Sequence, residues 1–277
     1  MRMKKIKFST VLLYLVLFFG ALIMIFPFYW MITGAFKTGT EIVQMPPTML
    51  PNSFTNLDNF KFAFQTAPFV TYFINSVEMM IACVVLCGVT TILTAFAFSR
   101  LRFPGRNLIF SCLLALMMVP FEMLVITNYR TIVGWHLHDT KWALILPFTT
   151  SIFYTYILKG FFDSIPESLY QAAKVDGCSD WKYLWRVMVP MSKPSLVTIM
   201  LLNAIATWNS FMWPMIATNS KEVRTLPFGL YAFISEGGAK NERMMAAATV
   251  VVLPMIIVFL VARKYIVNGV ARGGLKG

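Results

Sequence analysis

Charge is scarce in this chain. Of its 277 residues only 13% are Asp, Glu, Lys or Arg, while 58% are hydrophobic and mean hydropathy is +0.68. A soluble domain carries charge at roughly a quarter of its positions, so that class is excluded and an integral membrane protein is indicated. Histidine and cysteine are rarer still. Both histidines fall in His136-Leu137-His138-Asp139, a short loop with no Glu-x-x-His or further ligand nearby, so a solvated turn is expected there and no metal. Cys83, Cys87 and Cys112 lie in apolar runs and Cys178 in a polar loop, which leaves no external pair for a disulfide. Also missing are the G-x-x-x-x-G-K-[ST] phosphate loop, H-E-x-x-H and any Ser, His and Asp grouping. The chain is therefore expected to hydrolyse no ATP, to hold no catalytic residue and to need no cofactor.

Acidic residues number 12 against 24 basic ones. The resulting surplus is spread over short loops rather than gathered on one surface, so it does not point to nucleic acid. Those loops separate six charge-poor runs, at about 9–33, 72–99, 107–129, 142–160, 194–217 and 244–264. Each approaches the roughly 20 residues that a helix needs to cross a bilayer. The expected fold is all-α, a single transmembrane domain over 1–277 with six spans and one polar loop at 163–193. The first run is too long for a signal peptide and ends in Phe26-Pro27-Phe28-Tyr29-Trp30 without a small-x-small cleavage pattern. Sixteen of the 24 Lys and Arg lie on the side that holds both termini and the 163–193 loop, which places the termini in the cytoplasm.

On the opposite side, residues 37–71 carry Pro46, Pro47, Pro51 and Pro68 and should form a cap of short pieces. In the 163–193 loop, Ser164 and Glu167 have the form of a capping box around Pro166. Leu169, Ala172, Ala173 and Asp176 recur at helical spacing and make a narrow face of small residues, and Gly177 is placed to end that helix in the left-handed conformation. Ser179 caps a second helix, in which Trp181, Leu184, Trp185 and Met188 repeat the spacing before Pro190 and Pro194. Composition alone also allows an interfacial helix pair without a partner.

These residues resemble the EAA signature of ABC import permeases, here Gln171-Ala172-Ala173-Lys174-Val175-Asp176-Gly177 followed by Pro190 and Pro194. Further segments are similar to the second six-span permease subunit of maltose-type carbohydrate importers. They are 26–30, Asn75-Ser76, Arg100-Leu101-Arg102-Phe103-Pro104-Gly105, Trp208-Asn209-Ser210-Phe211-Met212-Trp213-Pro214 and Gly269 with the Gly-rich tail. The resemblance implies a bacterial inner-membrane subunit that pairs with a sister permease, two ATPase copies and an external sugar-binding protein. That protein would touch the 37–71 cap and the 218–243 loop, which holds Gly237 and Gly238. The resemblance also implies that Glu167, Leu169, Gln171, Ala172, Ala173, Asp176, Gly177 and Trp181 dock the ATPase. Gln171 stands where the motif has Glu, so a charge is lost there.

The fifth run is the most polar. Asn203, Thr207 and Ser210 share one helical face, with Trp208, Asn209, Phe211 and Trp213 close by, a lining suited to sugar hydroxyls and ring faces. Tyr154, Thr149, Thr150 and Ser151 in the fourth run are weaker candidates, and hydrogen bonding between helices is an equally simple role for such side chains. Glu78 and Glu122 fall toward the external ends of their runs, where pairing with Arg130 or Arg243 competes with an ion-coupling role. Proton use by those acids would make the chain a gradient-driven secondary transporter or channel instead.

Overall fold

The computed structural model describes residues 8–237 and 240–273. Arg2, Lys4, Lys5 and Lys7, the loop residue Gly238, and Gly274, Lys276 and Gly277 of the tail lie outside the described residues. In chain order the helices are α1 (Phe8–Ala35), α2 (Gly39–Ile42), α3 (Asp58–Thr66), α4 (Phe69–Arg100), α5 (Arg106–Leu116), α6 (Phe121–Gly134), α7 (Lys141–Ile145) and α8 (Ile152–Asp163). They continue with α9 (Glu167–Val175), α10 (Asp180–Tyr183), α11 (Val189–Met191), α12 (Lys193–Trp208), α13 (Met212–Ala217), α14 (Leu226–Gly237) and α15 (Asn241–Gly273). No strand occurs among the described residues, so the fold is all-α. By contact density the chain divides into two units, Met1–Phe69 with Leu230–Met255, and Val70–Gly229 with Ile256–Gly277.

In the first unit, α1 is apolar on every face and exposed from Val11 to Phe26, the surface expected of a helix in lipid rather than in water. Its end is tied to the cap. Asn59 donates through Nδ2 to the carbonyls of Ala35 (2.9 Å) and Lys37 (2.8 Å), closing backbone groups that the helix end leaves open. Lys37 is 1% exposed, donates to the Thr48 carbonyl and lies over the Trp30 ring at 4.3 Å. A short capping box between Thr38 and Glu41 starts α2, and Phe62, Phe69 and Phe233 pack edge to face.

In the second unit, α4 runs past two apolar cores. One joins Ile92, Ala95 and Phe96 of α4 to Leu158 and Phe162 of α8, Tyr183, Leu184 and Met188 of the polar loop, and Leu196 and Ile199 of α12. The other joins Met79 and Cys83 to Val125, Ile132, Ala143, Leu144, Trp213 and Ala217. Close approach fixes Gly229, because a Cβ there would lie 2.1 Å from Tyr72 Cδ2. Asn75 Nδ2 donates to the carbonyls of Glu222 (2.8 Å) and Arg224 (3.0 Å), and the Leu226 N–H donates to Ser76 Oγ (2.8 Å).

Only α1 and α4 are unbroken helices long and apolar enough to cross a membrane among the described residues. The runs at 107–129 and 142–160 are bent pairs: α5 meets α6 at 99°, and the 141–148 stretch meets α8 at 43°. Proline explains both bends. Pro120 has no N–H to donate and is itself extended at the start of α6, while Pro147 lies in a tight turn before Thr149, Thr150 and Ser151 leave the helix. The run at 194–217 begins with an 80° bend from the 180–191 stretch, and α12 stops at Trp208 before α13 begins.

Candidate coupling loop and polar cavity

The polar loop is built from the backbone outward. Gly177 takes φ +72°, and the Cys178 N–H returns to the Ala173 carbonyl at 2.8 Å, closing α9 in the left-handed turn that its position implied. Ser179 accepts from the Lys182 N–H at 3.3 Å and caps α10. Ser164 does not cap α9. It ends α8, with Oγ donating to the Phe161 carbonyl at 2.7 Å, and extended Pro166 becomes the N-cap with no side-chain bond. The reason is length: α8 continues to Asp163 and holds Ser164 in a helical conformation, which an N-cap residue cannot have.

A polar clip holds the loop shut. Lys174 Nζ lies 2.6 Å from Asp180 Oδ1, and Tyr170 donates its hydroxyl to that oxygen, also at 2.6 Å. The two donors hold the Asp180 carboxyl below its ordinary range, Lys174 more than Tyr170. Hydrogen bonding to Asp180 likewise raises Lys174. Tyr170 packs on Tyr183 with the rings tilted and their centroids 5.1 Å apart, and Tyr183, Leu184 and Met188 are buried in the core shared with α4, α8 and α12. A π-helical turn at Leu184–Met188 carries these anchors inward.

Of the proposed docking residues, Glu167, Leu169, Gln171, Ala172, Asp176, Gly177 and Trp181 are exposed. Ala173 is half-buried against the core, so the small-residue face is divided between inside and outside. Gln171 Nε2 donates to Glu167 Oε1 at 3.3 Å, and Glu167 also faces Arg102 at 3.5 Å. The sequence reading left out Val175, which is 88% exposed and ends α9 as a bare apolar tip. An exposed β-branched residue beside the turn was the available signal.

A cavity of about 200 Å³ is lined by Met79, Cys87, Phe148, Thr150, Ser151, Tyr154, Asn203, Ala206, Thr207 and Ser210. Helices α4, α8 and α12 supply six of these residues, and the turns before α8 and after α12 supply the rest. Asn203 is 6% exposed on α12 and accepts from Thr207 Oγ1 at 3.0 Å. Ser210 reaches the same space from beyond the end of α12, and Ser151 caps α8 through the Tyr154 N–H at 3.3 Å. Trp208 and Asn209 line no part of it: Trp208 packs edge to face on Phe73 at 5.8 Å, and Asn209 bonds the Ile205 carbonyl at 2.9 Å. Trp213 is buried, with its indole donating to the Ala143 carbonyl. Cys87, which the sequence places in an apolar run, is part of the lining.

Glu78 pairs with Lys141, not with Arg130 or Arg243. Arg243 instead lies over the Phe62 ring at 3.8 Å, and Glu122 is exposed in the first turn of α6. The 136–139 loop is more than a solvated turn. His136 and Asp139 take positive φ, and Asp139 Oδ1 accepts from the Asn219 N–H (2.8 Å), the Ser220 N–H (3.0 Å) and Ser220 Oγ (3.1 Å). Partial burial alone would raise this carboxyl, but the hydrogen bonds from Asn219 and Ser220 outweigh it and hold the group below its usual range. No cluster of three metal-ligating side chains occurs among the described residues.

Residues 88–272 match the model of the binding-protein-dependent transport system inner membrane component family. The arabinooligosaccharides transport system permease protein AraQ of Bacillus subtilis (strain 168) is 30% identical over 275 residues, covering 98% of each chain. The inner membrane ABC transporter permease protein YcjP of Escherichia coli (strain K12) is 33% identical over 260 residues, covering 92% of each. Among solved structures, a chain of a bacterial ABC transporter involved in the import of the acidic polysaccharide alginate superposes with a TM-score of 0.84 at 23% identity. The match covers 95% of this chain and 99% of that one.

Proposed function

Because the chain belongs to the binding-protein-dependent transport system inner membrane component family, we propose that it is the permease subunit of an ATP-driven carbohydrate importer. The observation that carries this reading is the rooted loop: α9 lies exposed, is closed by the Lys174–Asp180 clip, and is anchored through Tyr183, Leu184 and Met188 on α4, α8 and α12. Those three helices also supply Cys87, Tyr154, Asn203 and Thr207 to the polar cavity. A push on α9 therefore reaches the helices that line the path, as alternating access by rigid-body rocking requires. In this reading α1, α4, α15 and the three bent stretches form six spans, with the termini and α9 in the cytoplasm. Glu167, Leu169, Gln171, Ala172, Asp176, Gly177 and Trp181 meet an ATPase, with Val175 added to that surface.

The wall that this chain supplies suits the uncharged part of an oligosaccharide. Hydroxyl and amide groups with one tyrosine line part of the cavity, Met79, Cys87, Phe148 and Ala206 line the rest, and no charged residue of this chain lines it. A phosphate or uronate would need a cation there. At about 200 Å³ the space is below the roughly 300 Å³ at which ligand pockets begin, so this chain forms one wall and a sister permease the other. An external binding protein delivers the sugar to the cap.

The test is purification of the tagged protein from its native membrane, identification of what accompanies it, and an ATPase assay with candidate sugars. A sister permease and an ATPase at fixed stoichiometry, with hydrolysis stimulated by a neutral oligosaccharide and its binding protein, are expected. A lone chain or homodimer would overturn the reading and return attention to Glu78 and Glu122.

A further inference from the structure

A second cavity, of about 520 Å³, opens where α4 ends and α5 begins, lined by Ser99, Arg100, Arg102, Phe103, Gly105, Arg106, Asn107, Leu108 and Glu167. Three arginines border it with a single carboxylate, Glu167, and Arg106 spends Nη1 on the Leu101 carbonyl (3.2 Å) and Nε on Asn107 Oδ1 (3.5 Å). Arg100 is 6% exposed, and its Nη atoms donate to Ser99 Oγ (3.0 Å) and to the carbonyls of Phe162 and Ile165 (2.7 Å each). All of these acceptors are neutral, and Arg100 Nε is buried without a partner. The neighbouring acid, Asp163, accepts from Ser99 Oγ at 2.7 Å and from Lys159 at 2.6 Å, so it is shared before it reaches Arg100. A buried cation balanced mainly by dipoles raises the local potential and favours an anion beside it.

The start of α5 adds to this. Its N-cap is Gly105, with φ +76° and no side-chain cap. Arg106 N–H returns to Phe103 and Ile109 N–H to Gly105, while the N–H groups of Asn107 and Leu108 have no acceptor among the described residues. Two open amides at the positive end of an 11-residue helix, beside Arg100, Arg102 and Arg106, match the oxygen array of a phosphate group. Beside the cavity stand Leu108, 70% exposed, and exposed Ile109, an apolar surface that a free phosphate ion would not use.

We propose that this cavity binds the phosphate headgroup of an anionic phospholipid, with the acyl chains lying along Leu108 and Ile109. The proposal rests on the membrane-embedded reading of the chain. It gives the lipid a specific position, because Arg102 and Glu167 join the site to the first residue of the coupling helix at 3.5 Å.

The test uses the full-length protein in mild detergent, offered phosphatidylglycerol and phosphatidylcholine in equal amounts, with retained lipid read by native mass spectrometry. The wild type should keep phosphatidylglycerol preferentially, and Arg102→Gln/Arg106→Gln should lose that preference roughly tenfold or more. Lys61→Gln/Lys221→Gln, which removes equal charge from exposed positions elsewhere, should keep it. Arg102→Lys/Arg106→Lys, with charge but no planar fork, should keep part of it and shows that the pair can be replaced without unfolding. Equal retention by the wild type and Arg102→Gln/Arg106→Gln would overturn the site. In a parallel arm inorganic phosphate is added alone, and thermal stabilisation by it equal to that from the lipid would overturn the lipid assignment in favour of free phosphate. The readout needs no ATPase, sister chain or sugar, so failure of the importer reading leaves it unaffected.

Discussion

Lys174 and Asp180 face each other across the Gly177 turn, Nζ to Oδ1 at 2.6 Å, and this contact ties the end of α9 to the start of α10. Both side chains are partly solvated, so the pair adds little to global stability. Its effect is on shape. Asp180→Asn should leave the melting temperature within a few degrees of wild type while sugar uptake falls several-fold, since a loosened loop transmits less of the push. Unchanged uptake in membrane vesicles would refute the coupling role of the clip.

The clip also has a pH range. Lys174 and Tyr170 hold Asp180 below its usual value of 3.8, so its contribution is full above that value and disappears only as pH falls through the lower folded value. Lys174, raised above 10.5, keeps its proton until the medium is more alkaline than that. Coupling of ATP hydrolysis to transport should therefore be flat between about pH 5 and 9, apart from the ATPase's own profile. A step within that window that vanishes in Asp180→Asn would contradict the assignment.

Gly177→Pro should abolish uptake with membrane insertion intact. The residue sits at φ +72°, which proline cannot adopt, and the Gly177 N–H bonds the Lys174 carbonyl at 3.0 Å. Gly177→Ala costs about 1–2 kcal/mol of local strain and should give an intermediate rate. Asp176→Lys, which reverses an exposed charge next to the turn, should also abolish uptake, and the measurement for all three is transport of labelled sugar into proteoliposomes.

Asn203→Leu removes the acceptor of Thr207 and a polar wall of the cavity. Sugar transport should fall at least tenfold, while assembly with partner chains, read by co-purification, should stay normal, because Asn203 takes no part in the loop. Loss of assembly would make Asn203 a structural residue instead.

Asp139→Ala leaves the two backbone N–H groups of Asn219 and Ser220 without their acceptor and should destabilise by about 1–3 kcal/mol. Since the folded Asp139 lies below 3.8, the wild-type advantage should hold above that pH and shrink as acid protonates the carboxylate. Melting curves of wild type and variant across pH would show it.

Much of the loop was legible because backbone demands leave marks in sequence. Gly177 stands where only a left-handed residue fits, and Ser179 precedes a helical pattern. Ser164 misled because a capping pair is ambiguous when another helix ends on its first member. Asn203 and Thr207 were found by helical spacing, whereas Ser210 reached the cavity although α12 had already ended at Trp208. Cys87 carries no signal, since a small residue in an apolar run reads the same whether it faces a cavity or a core. Arg100 and Lys37 stand in the sequence at the ends of apolar runs, and their burial depends on carbonyls that no local pattern announces.

Between Val11 and Phe26 the surface of α1 is uniformly greasy, with no polar stripe to give it a front and a back. Leu, Ile, Val and Phe can trade places there with almost no change in transfer free energy, so that stretch is free to drift. Phe162 and Leu184, sealed in the core under the coupling loop, have no such freedom. Two parts of one chain thus obey different rules of substitution: a single average hydropathy satisfies the first, and only matched shapes satisfy the second.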